Sequence, residues 1–246
     1  MARFVIFDLF HTLVSGAAQD WERAVAEGAA IVGVEPAALL AAYHDTFRQR
    51  QVQWDAEQAV RILAERAGGS PSPAQVAQAA AVRRELARRV LSAVQPSTLD
   101  VLDALRAAGY RLGLVSNATA DTAEAWPGSA LAARFDVAVF SFEAGVAKPD
   151  PRIYLAATTA LGARPAECYY VGDGADSELA GAAALGMTVI RTTQYSDSDP
   201  SWPGTTITSL ADLATLLPGE PDAGDPSTSV DGKRHREVKG SGAGSG

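Results

Sequence analysis

The chain has 246 residues, 47% of them hydrophobic, enough to bury one sizeable core with an inserted lobe. Its formal charge of −8 argues against nucleic acid or an anionic membrane as the main partner, since both need a basic face. A small-molecule substrate is expected instead, and the single cysteine, Cys168, allows no intrachain disulfide and points to a reducing, cytoplasmic setting.

The run over 3–7 is short, apolar and β-branched and ends at an acid, which predicts a buried strand delivering Asp8 at its carboxyl end. It carries no basic leader or small-residue cleavage site, and nothing downstream approaches the roughly 18 apolar residues of a membrane span, so we expect a soluble protein. From Val14 to about Gln95 strand signals vanish and Ala-rich amphipathic patterns predict helices over 19–32, 36–51, 56–67 and 73–93. Gly68, Gly69, Ser70, Pro71 and Ser72 form a turn that places Pro73 at a first helical position. Further strand-like runs follow over 110–115, 137–140, 168–171 and 188–190, with a weaker one over 205–208.

Helical patterns alternate with these runs. One over 97–108 stops at Gly109, one opened by Asp150 and Pro151 stops near Gly162, and Ser209 with Asp212 forms a capping pair before 210–217. The alternation predicts an α/β fold, a doubly wound parallel sheet with an all-helical insertion after its first strand. We therefore assign 1–14 and 96–217 to the α/β core, 15–95 to the helical lobe and 218–246, rich in Gly, Ser, Pro and charge, to a disordered tail. Cys168, in an apolar strand run, reads as a buried, inert thiol.

Four polar segments sit where strands end, the edge at which open α/β sheets bind ligands. They are Asp8-Leu9-Phe10-His11-Thr12, Val115-Ser116-Asn117, Lys148-Pro149-Asp150, and Gly172-Asp173 with Glu178 five residues on. An aspartate at a strand terminus can attack an electrophile and split one hard displacement into two easier steps. A serine at a second strand end can hydrogen-bond the anionic group under attack, and a lysine offsets the negative charge gathered there. Asp8, Asp173 and Glu178 converging on one cleft would repel one another without a cation, and Lys148 offsets only part of that charge, so the set suits Mg²⁺.

In this order the four segments resemble the haloacid dehalogenase superfamily over roughly residues 3–217. The resemblance implies a Rossmann-like core with a helical cap inserted after the first motif. It implies Asp8 as nucleophile, Ser116 and Lys148 as catalytic partners, Thr12 and Asn117 as substrate-binding or supporting residues, and Asp8, Asp173 and the Phe10 backbone carbonyl as ligands of Mg²⁺. Glu178 matches a second acid of the fourth motif.

Phosphatases of that superfamily carry a second aspartate, the acid/base, where this chain has Phe10. Phenylalanine cannot transfer a proton, and such help is worth about 10²–10⁴ in rate. Haloacid dehalogenases carry an aromatic residue there, which tilts the reading toward halide displacement. The intact Asp173 and Glu178 tilt it back toward a slow, Mg²⁺-dependent hydrolysis of a small phosphorylated metabolite. A catalytically weak relative retained for binding is a third reading.

A Schiff-base variant of the superfamily needs a cap lysine, and 14–95 contains none. His11 either replaces the missing acid/base or packs and hydrogen-bonds locally. Tyr154 is read as the buried face of a helix more than as a functional tyrosine. Among cap residues, Trp21, Tyr43, His44, Phe47 and Trp54 are candidates for the pocket lining, with Arg23 and Arg48 as candidate halide ligands.

Overall fold

A run of alternately facing apolar side chains makes β1 (Phe4–Phe7) a strand that can be covered on both sides. The structure is a computed structural model and describes residues 4–16 and 18–217; the tail expected over 218–246 lies outside them. Five helices follow β1, namely α1 (Ala18–Val32), α2 (Pro36–Asp45), α3 (Phe47–Val52), α4 (Ala56–Arg66) and α5 (Pro73–Ser92). Two of them begin on complete capping boxes. Asp55 accepts from the Gln58 amide at 2.8 Å, and Ser72 exchanges bonds with Gln75 just before Pro73.

The helix expected over 36–51 is broken in two. Thr46 leaves helical geometry (φ −111°, ψ 14°) and its Oγ1 donates to the Ala42 carbonyl at 2.7 Å. That back-bond, from a β-branched residue, bends the chain. The bend turns α3 inward, where the Gln51 carbonyl accepts from Ser141 Oγ at 2.8 Å.

The chain then runs through α6 (Pro96–Ala107), β2 (Arg111–Ser116), α7 (Ala120–Ala125), β3 (Val137–Phe140), α8 (Ser141–Ala144), α9 (Pro151–Leu161), β4 (Cys168–Gly172), α10 (Glu178–Ala184), β5 (Thr188–Thr192), β6 (Thr205–Ile207) and α11 (Leu213–Leu216). The expected strands appear within a residue or two of their predicted ends. Helices α7, α8 and α10 span 6, 4 and 7 residues, too short for a periodic signal to develop. The six strands form one parallel sheet in the order β3-β2-β1-β4-β5-β6, so β1 lies between β2 and β4.

Alternation along β1 separates two cores. Val5 and Phe7 join Leu112, Leu114 and Leu102 on one face, while Ile6 joins Val115, Ile153, Tyr154 and Tyr170 on the other. The helical insertion has apolar clusters of its own, one around Val60, Ala64 and Val76 and one around Leu39, Tyr43 and Leu63. The end of α5 does not belong to them, because Val90 and Leu91 pack into the first sheet core. Among the described residues no single helix is long and apolar enough to cross a membrane.

Candidate active site

The sheet carries three of the expected residues to one edge. Asp8 follows β1 and its amide donates to the Val171 carbonyl at 2.9 Å, which seats it between β1 and β4. Ser116 ends β2 and Asp173 follows β4. Lys148, on the loop before α9, is 2% exposed and spends its ammonium on buried acceptors. Its Nζ donates to Asp8 Oδ1 at 2.5 Å, to Glu178 Oε2 at 2.5 Å and to Tyr170 Oη at 3.3 Å.

Asn117 holds that lysine in place. Its Oδ1 accepts from the Lys148 amide at 2.7 Å, while Nδ2 donates to the Lys148 carbonyl at 3.2 Å and to Asp176 Oδ2 at 2.7 Å. The carboxamide expected to meet substrate is thus committed to the lysine loop. Arg48, expected as a halide ligand, also donates to the Lys148 carbonyl, at 3.2 Å.

Glu178 is held from three sides, by Lys148, by the Tyr170 hydroxyl at 2.8 Å and by the Gly174 amide at 3.0 Å. Its close approach needs a glycine beneath it. A Cβ on Gly172 would stand 2.1 Å from Glu178 Oε1. Tyr154 donates to the Glu178 carbonyl at 2.9 Å and packs edge-on against Tyr170, so it anchors the start of α10, in line with the helix-packing reading. Asp173 accepts from the Ala175 amide at 3.1 Å and from Ser198 at 2.6 Å. Ser198 lies in a loop after β5 and belongs to no expected motif, so nothing in the sequence marked it.

Ligand oxygens of Asp8, Asp173 and Glu178 lie within 4.8 Å of one another, all three side chains being buried. Charge is therefore crowded. Burial raises the Asp8 carboxyl above its ordinary range despite the Lys148 ammonium, and Asp173 adds to the rise. Burial, with the charge of Asp8, pushes Glu178 up to about 7. Lys148 moves the other way from a normal buried amine, because two carboxylates outweigh its desolvation and hold it protonated. The hydroxyls of Ser116 and Thr12 are buried without a hydrogen-bond partner among the described residues, an arrangement that normally awaits one.

A cavity of about 620 Å³ opens from Asp8 toward the helical lobe. Phe10, Trp21, Tyr43 and Phe47 line it, whereas His44 and Trp54 do not. Arg23 is exposed and paired with Asp20 at 2.5 Å, away from the cavity lining. His11 sits at φ 59°, the left-handed region that costs a side chain about 1–2 kcal/mol. Its Nδ1 accepts from the Gly16 amide at 3.4 Å, and the ring fills the space a Gly16 Cβ would need. The ring also lines the cavity, so the contact with Gly16 fixes its place without removing it from the site.

Sequence reasoning missed Arg50, Arg83 and Asp121, which also line the cavity. Arg50 faces inward only because of the break at Thr46, and Asp121 lies on α7, which gave no pattern. Arg83 reaches from α5 to the carboxylate of Asp121 and to the Tyr43 hydroxyl.

Known proteins resemble this chain in sequence and in fold. The chain is 33% identical to the glyceraldehyde 3-phosphate phosphatase of Methanopyrus kandleri over 56% of its own length and 60% of that protein's. It is 34% identical to the phosphoserine phosphatase of Thermus thermophilus over 61% and 56% of the two chains, and 31% identical to (S)-2-haloacid dehalogenase 1 of a Pseudomonas strain over 44% and 50%. The chain thus spans between half and about 60% of these relatives' length. The fold is similar to that of a solved HAD phosphatase from Thermococcus onnurineus, with a TM-score of 0.68, 22% identity and coverage of 89% of this chain and 99% of that one. A solved L-2-haloacid dehalogenase from Xanthobacter autotrophicus gives a TM-score of 0.62 at 21% identity, over 88% and 98% of the chains. The model of the haloacid dehalogenase-like hydrolases matches residues 2–186, well over half of the sequence, and the chain belongs to that family of hydrolases.

Proposed function

We propose that this hydrolase removes the phosphoryl group from a small organic phosphate through a covalent ester on Asp8, with Mg²⁺ as cofactor. The observation that carries the reading is the buried set of three carboxylates around one lysine at the sheet edge, beside the unpartnered Ser116 hydroxyl. The donor set fits the cation. Its atoms are hard oxygens, and burial has raised the proton affinity of Asp8 and Glu178, an excess of negative charge that a divalent ion relieves. Asp8, Asp173 and the Phe10 carbonyl would hold it, with Glu178 behind them. When bound, Mg²⁺ supplies charge neutralisation for the transferring phosphoryl oxygens.

The chain's own residues do the rest. Lys148 orients Asp8 and favours its ionised form, while Tyr170 and the Gly174 amide share the charge of Glu178. An Asp8 carboxylate oxygen forms the new bond to phosphorus as the ester oxygen departs with its electron pair. Ser116 donates a hydrogen bond to a phosphoryl oxygen, and water then cleaves the acyl phosphate. Phe10 lines the cavity where an acid would protonate the leaving group, so esters whose leaving groups need no proton react fastest.

A screen of phosphate esters with and without Mg²⁺ tests this. Aryl phosphates should release metal-dependent phosphate, Asp8→Asn should lose on the order of 10⁴-fold, and Phe10→Asp should gain about 10²-fold on alkyl esters. Failure of every ester in the presence of Mg²⁺ defeats the proposal.

Phe10 and the resemblance to (S)-2-haloacid dehalogenases favour a second reading, displacement of halide from carbon by Asp8. Chloride release from 2-chloropropionate in the presence of a chelator would decide for it.

A further inference from the structure

Arg50 is only 7% exposed and forms part of the lobe wall of the cavity. Its guanidinium carbon lies 4.4 Å from the Tyr43 ring centroid and 5.8 Å from that of Phe47. One nitrogen, Nη2, donates to the Tyr43 carbonyl at 3.0 Å. Nε is buried with no acceptor, and no carboxylate pairs with this guanidinium among the described residues.

Arg83, close enough to repel it, is differently placed because Asp121 and the Tyr43 hydroxyl both hold it. Two guanidiniums therefore share one carboxylate, and one positive charge on this wall is uncompensated. Burial and the charge of Arg83 lower Arg50 to about 10, which leaves it protonated at neutral pH. A buried cation without a counter-charge is costly, and a ligand that brings one to the cavity wall relieves it.

The uncompensated charge is single and the donor fork is planar. A carboxylate matches both, with one negative charge and two coplanar oxygens, whereas a phosphate dianion would leave the wall negative. The wall around it, including Trp21, Val25, Phe47 and Leu86, is apolar and suits a hydrocarbon or aromatic body. We infer that Arg50 receives a carboxylate on the substrate, remote from the reacting group, so that the substrate class is an organic phosphate with an apolar body and a carboxylate at its far end. The inference rests on the phosphatase reading for the reacting end alone.

Two aryl phosphates test it, 4-(carboxymethyl)phenyl phosphate and its methyl ester, whose phenolate leaving groups differ in the remote charge and one methyl group. Binding is measured by calorimetry on Asp8→Asn protein, and phosphate release on the parent with Mg²⁺. The acid should bind and turn over about 10-fold to 100-fold better than the ester, the range expected for one charge-assisted hydrogen-bonded contact. Arg50→Gln should bring the ratio close to one.

A ratio near one in the Asp8→Asn protein, or a ratio that Arg50→Gln leaves unchanged, overturns the inference. If Arg50→Gln does not fold by circular dichroism, Arg50→Lys decides. An intermediate ratio supports the inference, and an undiminished ratio overturns it. Preferential, Arg50-dependent binding of the acid without any phosphate release keeps the inference and removes the phosphatase reading. Phosphate release without acid preference does the reverse.

Discussion

Burial and ionisation pull against each other at Asp8. The same desolvation that would sharpen a nucleophile raises its proton affinity, and Lys148 at 2.5 Å is the local counterweight. The arrangement depends on Glu178 lying against the backbone of Gly172, where even a methyl group does not fit. Gly172→Ala should therefore expel the Glu178 carboxylate from Lys148 and Tyr170. We expect about 1–3 kcal/mol of lost stability together with loss of phosphate release, read by urea unfolding and by assay; full activity in this variant would mean that Glu178 is dispensable. At this scale the structure brings together side chains that the sequence singled out. Asp8, Ser116 and Asp173 each close or follow a short apolar run, and a parallel sheet brings such ends to one edge, whereas Lys148, on the loop before α9, and Glu178, at the start of α10, were singled out through the family resemblance. Ser198 and Tyr170 were not, because their parts depend on what stands opposite them.

Between elements, ion pairs tie α4 and α5 of the helical insertion to α7, the helix that follows β2. Arg83 of α5 binds Asp121 of α7, with side chains 12% and 4% exposed, and the more open Arg84 joins Glu57 of α4 to Glu124 of α7 at 2.8 Å. The exposed ties contribute little. The buried one is different, since losing Asp121 leaves the Arg50 and Arg83 guanidiniums close together in an apolar wall without their carboxylate. Asp121→Leu should cost about 3–5 kcal/mol and Arg83→Met less, because Arg50 stays beside the carboxylate, while the double replacement should recover much of the Asp121→Leu loss. Urea melts of the three variants check this, and additive losses would contradict it. The insertion was legible as helices from its apolar period and from the turn that places Pro73 at a first helical position. Its break at Thr46 was not, because a continuous period runs through 36–51 and only a back-bond to Ala42 interrupts it.

For the whole molecule, the crowded carboxylates link stability to pH. Glu178 titrates at about 7 in the folded protein against an ordinary 4.5, so the folded form holds its proton more tightly than the unfolded chain. The associated stability is complete below about 4.5 and is lost as pH rises through 7. Asp8, raised in the same direction, adds to the loss. In chelator, Tm should fall by at least about 3 °C between pH 5 and pH 8, since roughly 1 kcal/mol moves a chain of this size by 2–4 °C. Saturating Mg²⁺ should cancel most of that fall, because a cation replaces the proton as counter-charge. Differential scanning calorimetry with chelator and with Mg²⁺ measures both. A melting temperature independent of pH and of Mg²⁺ would show that these carboxylates carry no such strain.

Local physics was enough to set out the strands, the helical insertion and the residues at strand ends. Apolar period, capping pairs and turn residues act over a few positions and are written in order along the chain. The order β3-β2-β1-β4-β5-β6, the depth of Glu178 behind Gly172 and the inward turn of Arg50 were decided only when distant segments packed. The reason is that burial belongs to neighbours in space. An arginine on an amphipathic helix reads as solvated until the bend at Thr46 turns it into the cavity, where among the described residues no carboxylate pairs with it.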